Sequence, residues 1–283
     1  MPLVIRKLLD HGTSHPVVAR LQVQVSELLK NTTLGESGRG AVFSASFHAS
    51  TRLIRCWDVW EKLTEECDKL EREHQPPQNS QVATIPAVVG LQHAAETFLY
   101  EAKNFIRDLT VVINAAYGTG FDQASQFCKA RGGSKIQRWA VSHFGREDRL
   151  TRFLGLHEAW LCEVVWMRNA VEHPKGRSGV LHVTNYEIVP EGIFRPTWHR
   201  GDNQPSSIVG DMAVLREQML RFAEELTIYI IEKHLHVNMF QIYEIPAEER
   251  NPRCPRRFDL GLTEDMAKRF AQHFNSPTTE SLS

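Results

Sequence analysis

Arg168-Asn169-Ala170-Val171-Glu172-His173-Pro174 closes a long apolar-periodic run. From about Glu147 to His173, Phe153, Leu154, Leu156, Trp160, Leu161, Val164, Val165, Met167 and Val171 recur at helical spacing and predict one helix with a broad apolar surface. Pro174 has no amide hydrogen to continue that helix and Gly176 follows, so His173 is expected in the final turn. Residues four apart share a stripe, which puts Asn169 with His173 and Arg168 with Glu172 on adjoining polar faces. A histidine there lies near the negative end of the helix dipole, which favours its protonated form. Arginine brings a permanent cation in a planar donor fork suited to phosphate, and histidine exchanges a proton near neutral pH without a metal. The same residues also fit a plain solvated helix face, with His173 on the last carbonyls.

Working outward, the pattern predicts a mainly α bundle with a small antiparallel β appendage. Val17, Val18, Leu21, Val25, Leu28 and Leu29 mark a helix over Pro16–Leu29, followed by a Gly-rich flexible connection through Gly40. A second helix should run from Phe47 to about His74, where Pro76 and Pro77 end it. A third should span Gln81–Tyr117, bent at Pro86 and Gly90 and stopped by Gly118. Its polar side, Thr97, Tyr100, Glu101, Asn104, Arg107 and Asp108, reads as an ion-paired surface or as support for a cleft beside the 168–174 string. Short helices are expected over Phe121–Gly133 and Lys135–His143.

Beyond Gly176 the period changes to two. Val180 to Ile188 and Ile193 to Trp198 predict a two-stranded hairpin, then a helix from Val209 to Leu235 and a third strand at Phe240–Ile245. Arg250, Arg253, Arg256 and Arg257 among prolines, a short helix over Thr263–Phe274 and a mobile Ser/Thr-rich tail after Pro277 complete the chain. All 283 residues are read as a single mostly helical domain. It comprises an N-terminal helix and flexible segment (1–44), the bundle with its β insertion at about 178–200 (45–238), and a C-terminal strand, short helix and tail (239–283).

With 42% apolar and 24% charged residues and a formal net charge of −1, the composition is that of an ordinary globular protein, which argues against strong nonspecific nucleic-acid binding. A local basic excess still gathers at Lys129, Arg131, Lys135, Arg138, Arg146, Arg149 and Arg152, interleaved with Phe127, Trp139 and Phe144. Such a mixture suits a nucleic-acid backbone and its bases, or is scattered solvated charge. Five cysteines without CxxC spacing suggest neither a disulfide framework nor a zinc site, and Cys162 reads as a buried thiol. No secretory leader or membrane span is read, so a cytoplasmic setting is the default. A phosphate-binding glycine loop, HExxH and GxSxG are all missing, which weakens nucleotide hydrolase, metalloprotease and esterase readings.

The 168–174 string resembles the signature of the HEPN family: arginine, a polar residue, three variable residues and histidine at the end of a helix in a small bundle. The matching residues are Arg168, Asn169 and His173. The resemblance implies a homodimer whose two motifs face each other across a cleft, acting as a metal-independent RNA endonuclease without cofactor. His173 would then handle the ribose 2'-hydroxyl proton, Arg168 would steady the scissile phosphate, and Asn169 would orient one of them. The product would carry a 2',3'-cyclic phosphate, and the setting would be defence or toxin–antitoxin, with an antitoxin protein as a partner. Some family ribonucleases place a tyrosine two residues after the histidine, where this chain has Lys175. The alternative is a noncatalytic HEPN-like module that binds nucleotide, RNA or a partner protein through the same groove. His157, eleven residues before Arg168, returns to nearly the same face and is read as a structural donor or a groove residue.

Overall fold

Two long helices form the spine: α2 (Glu36–Glu73) and α3 (Leu91–Tyr117), preceded by α1, a continuous run of Pro16–Val18, a π-helical turn Ala19–Val23 and Gln24–Leu29. The computed structural model describes residues 10–73, 85–129, 132–189, 192–236 and 239–275. Contacts run in opposite order along the spine, with Glu66 accepting from the Val89 amide, Cys56 donating to Phe98 O and Arg52 pairing with Glu101, so α2 and α3 are antiparallel. The chain continues through α4 (Lys135–Phe144), α5 (Arg149–Glu172), α6 (Ile208–Glu232) and α7 (Glu264–Asn275). The protein is mainly helical with small antiparallel sheets. Among the described residues, no helix is long and apolar enough to cross a membrane.

Caps fix the helix ends that position the site. Ser134 accepts from Gln137 N, Asp148 from Leu150 N and Ser207 from Gly210 N, each satisfying an amide left open at a helix start. Gly118 ends α3 in the left-handed conformation, with its N–H on Asn114 O. Helix α6 runs through the core with Met219, Phe222, Leu226 and Ile230 fully buried. Each such side chain contributes roughly 1.5–3 kcal/mol by leaving water.

Several elements depart from the sequence reading. The Gly-rich segment is not a connection: α2 starts at Glu36 and takes in Gly38 and Gly40. Glycine costs a helix about 1 kcal/mol per position. Here the burial of Val42, Ala45, Ala49 and Leu53 one to four turns on offsets it. The α2 end expected at Pro76 and Pro77 falls outside the described residues. Helix α3 begins at Leu91, not Gln81. Asn185 holds Val88 by both backbone N (3.0 Å) and O (2.9 Å), and Gly90 turns with φ 77°, so Pro86 and Gly90 mark a boundary and not a bend. Of the helix expected over Phe121–Gly133 only a 3-10 turn, Ala124–Phe127, forms. Asn114 is the reason, because its side chain binds the Phe121 amide (3.0 Å) and carbonyl (2.6 Å) and ties that backbone to α3.

The expected hairpin is broken in two by Asn185-Tyr186 and Arg195-Pro196. β1 (Leu181–Thr184) pairs with β4 (Thr197–Arg200), β2 (Glu187–Val189) with β3 (Gly192–Phe194), and β5 (Ser206–Ser207) adds to β4. The strand at Phe240–Glu244, β6, does not join this sheet; it pairs with β7 (Phe258–Leu262), which the sequence reading lacked. The hairpin is bolted to the bundle by Trp198 Nε1 on Asp211 (2.7 Å), by Arg195 on Asp68 and Glu71, and by a two-pronged Arg200–Glu163 pair at 3.1 Å. At its base a β-carbon on Gly179 (φ 73°) would stand 3.3 Å from Gly201 Cα. The Ser/Thr-rich tail lies outside the described residues.

Candidate active site at the end of α5

Helix α5 ends one residue earlier than the sequence reading placed it. Glu172 is the last helical residue and His173 is the C-cap, with φ −135° and ψ 66° and its N–H on Asn169 O at 2.7 Å. Non-helical dihedrals take the imidazole off the Asn169 stripe. His173 is exposed, and its ring hydrogen-bonds no described residue. Gly176 N donates to His173 O at 2.7 Å, so the chain turns sharply away beyond it.

The other motif residues do come together. The Arg168 side chain is only 14% exposed, with Nη2 3.3 Å from Glu172 Oε1. Its guanidinium lies 5.4 Å from the centre of the Tyr100 ring on α3, a cation–π distance. Nε and Nη1 are buried with no hydrogen-bond partner. Lys103, one turn along α3, donates to Asn169 Oδ1 at 2.9 Å and to Glu172 Oε2 at 2.7 Å. Burial acts to raise the Glu172 carboxyl, but the hydrogen bond and charge of Lys103, with Arg168 and His173 nearby, outweigh it and hold the group below its ordinary range.

Lys103 is therefore the site residue that sequence reasoning missed. Its signal was its place on the polar side of α3, one turn from Tyr100. Of the proposed supporting groups, Tyr100 touches the site, whereas Glu101 is buried and neutralised by Arg52 (3.0 Å) and Arg55 (3.2 Å). His157 is no donor. Its Nδ1 accepts from Trp160 Nε1 at 2.9 Å, its ring packs on Phe153 and Phe222, and burial lowers its pKa.

The basic segment is also rearranged. Phe127 is buried, and Trp139 and Phe144 pack with Tyr117 at 5.3 and 5.4 Å, so none of the three is a free stacking surface. Arg131 lies outside the described residues. Among the C-terminal arginines, Arg250 and Arg257 bind Glu244, and Arg256 binds Asp259. The described clefts, of about 310 to 660 Å³, are lined by residues other than Arg168, Asn169 and His173. Among the described residues, no group of three or more His, Cys, Asp or Glu side chains is arranged to hold a metal ion.

No protein-family model matches the chain, and no curated protein or solved structure matches it.

Proposed function

We propose that the protein is a HEPN-type, metal-independent RNA endonuclease that works as a homodimer in a defence or toxin–antitoxin setting. The observation that carries this reading is the Arg168 guanidinium, held by Glu172 and Tyr100 with two N–H groups unpartnered, at the helix end where the exposed His173 begins. A fixed guanidinium with two unpartnered donors suits the non-bridging oxygens of a phosphodiester, and because Nε and Nη1 are buried, substrate would have to open the last turn to reach them. An imidazole open to solvent suits removal of the 2'-hydroxyl proton and its return to the leaving oxygen. In-line attack of that hydroxyl breaks the phosphorus–oxygen bond to the next nucleotide and leaves a 2',3'-cyclic phosphate. Asn169, gripped by Lys103, keeps the last turn in register. A second copy facing the motif would supply the walls of the cleft.

The test is cleavage of labelled RNA and DNA by the wild type, Arg168→Ala and His173→Ala. RNA cutting should survive EDTA, fall by roughly 10²-fold or more in each variant, and leave DNA intact. Intact RNA with a folded wild-type dimer removes the reading. The alternative is the noncatalytic module, supported by Lys175 standing where some family ribonucleases have a tyrosine. That alternative expects RNA or nucleotide to bind without being cut.

A further inference from the structure

At the opposite end of α5 from the motif, Arg138, Arg146 and Arg152 line one cleft of about 610 Å³. No described carboxylate pairs with any of the three, although most arginines elsewhere in the molecule are bridged. All three are exposed, so water screens their repulsion, and a concavity ringed by one sign of charge concentrates anions at its mouth. Thr151 lines the same cleft. It is only 2% exposed, and its hydroxyl has no hydrogen-bond partner. A buried hydroxyl left open in this way is waiting for an acceptor or donor from outside the chain. Ser142 offers a second hydroxyl at the rim.

The cleft does not end there. Gln137 and Arg152 also line an adjoining cleft of about 660 Å³, whose walls include Phe153, Leu156, His157 and Tyr229. Leu156 is 79% exposed, an apolar side chain on the open wall of that second compartment. Gln137 sits at the junction because α5 has a glycine beside it: a β-carbon on Gly155 would collide with its amide nitrogen. One compartment is cationic and hydroxyl-lined; the other is mainly apolar and aromatic, with Arg149 over the Tyr229 ring at 5.1 Å and Glu225 also on its wall.

We infer that this double cleft binds a nucleoside polyphosphate, with the phosphates among Arg138, Arg146, Arg152 and Thr151 and the base against Leu156 and Tyr229. It is not an arm of the catalytic motif. Arg152 and Arg168 are sixteen residues apart, about 24 Å along α5 and roughly 160° around it, so they serve opposite faces of the helix. The inference therefore stands or falls separately from RNA cleavage.

The experiment titrates the full chain with methylanthraniloyl-ATP, followed by fluorescence. Saturable binding is expected, weakened at least tenfold in the Arg146→Ala/Arg152→Ala double variant and unchanged in Arg168→Ala. Both mutated arginines are exposed, and circular dichroism verifies that the helices persist. Arg152→Lys should recover only part of the affinity, because an ammonium lacks the planar fork. Tripolyphosphate should compete and adenosine should compete poorly. No binding at millimolar nucleotide, equal binding by the double variant, loss in Arg168→Ala, or stronger competition by adenosine than by tripolyphosphate would each overturn the assignment.

Discussion

Lys103 on α3 reaches across to Asn169 on α5, with Nζ 2.9 Å from Oδ1, and the same ammonium holds Glu172 at 2.7 Å. One lysine thus fixes the last turn before the exposed His173. Replacing it with alanine should raise the Glu172 pKa toward the ordinary carboxylate range, read by carbon NMR of a labelled sample. Both partners are partly solvated, so the stability change should stay below about 1 kcal/mol. An unmoved Glu172 titration would show that Lys103 does not govern the turn.

Glu224 is the opposite case. It is fully buried, paired with Arg20, accepting from Gln24 at 3.1 Å, and 3.4 Å from Arg257. Truncation to alanine strands the Arg20 guanidinium and the Gln24 amide where α1, α6 and the β6–β7 hairpin meet, while Arg257 keeps Glu225 (2.7 Å) and Glu244 (2.8 Å). A loss of about 3–5 kcal/mol is expected in a guanidinium unfolding curve. A loss under 1 kcal/mol would mean that water already reaches the cluster.

His15 couples acidity to folding. Its Nδ1 accepts from Val17 N at 3.3 Å as the cap of α1. Burial, then repulsion from His11 and Arg216, outweighs the pull of Asp58 and lowers its pKa from 6.5 to about 4. Between those two values the unfolded chain binds the extra proton and the folded chain does not, so stability falls as pH drops through this window and levels off below it. His15→Asn keeps a capping oxygen but does not titrate. Urea midpoints from pH 7 to 4 should therefore fall further for the wild type than for the variant, and parallel curves would exclude His15 as the cause.

Cys128 and Cys162 are sequence-distant thiols brought near each other, with the residue after Cys128 bonded to the Cys162 sulfur. Their proximity lowers the pKa of Cys162 and raises that of Cys128, and Lys129 N donates to Cys162 Sγ at 3.0 Å. Diamide should oxidise the pair to a disulfide, each thiol losing its hydrogen to the reagent, and dithiothreitol should reverse it. The thiol count should drop by two in the wild type and by none in Cys128→Ser. A drop that persists in that variant would place the oxidised pair elsewhere.

Local chemistry was legible in the sequence wherever it acted alone. Pro174 and the apolar period located the end of α5 to within a residue, and the four-residue spacing gave the Arg168–Glu172 pair. Lys103 was not legible, because its partners lie 66 and 69 residues away and only the α3–α5 packing brings them near. Gly38 and Gly40 read as a loop because their cost is local and the burial that overrides it is not. The partner of β6 did carry a local signal, since Phe258, Leu260 and Leu262 alternate with Asp259 and Gly261, but the run is only five residues long and follows a stretch of arginines and prolines that reads as irregular.

The meeting of Gly179 with Gly201 constrains what this chain can become. Any side chain at 179 would wedge against the opposite backbone and would also have to accept a dihedral that only glycine takes easily. The six residues leading from His173 to that crossing form a tether of fixed length. Lengthening or shortening it would change the path of the chain beyond His173, which is itself tied to α5 through Asn169 O. A one-residue insertion there would have to be absorbed between His173 and Gly179, because the glycine crossing leaves no room to take it up.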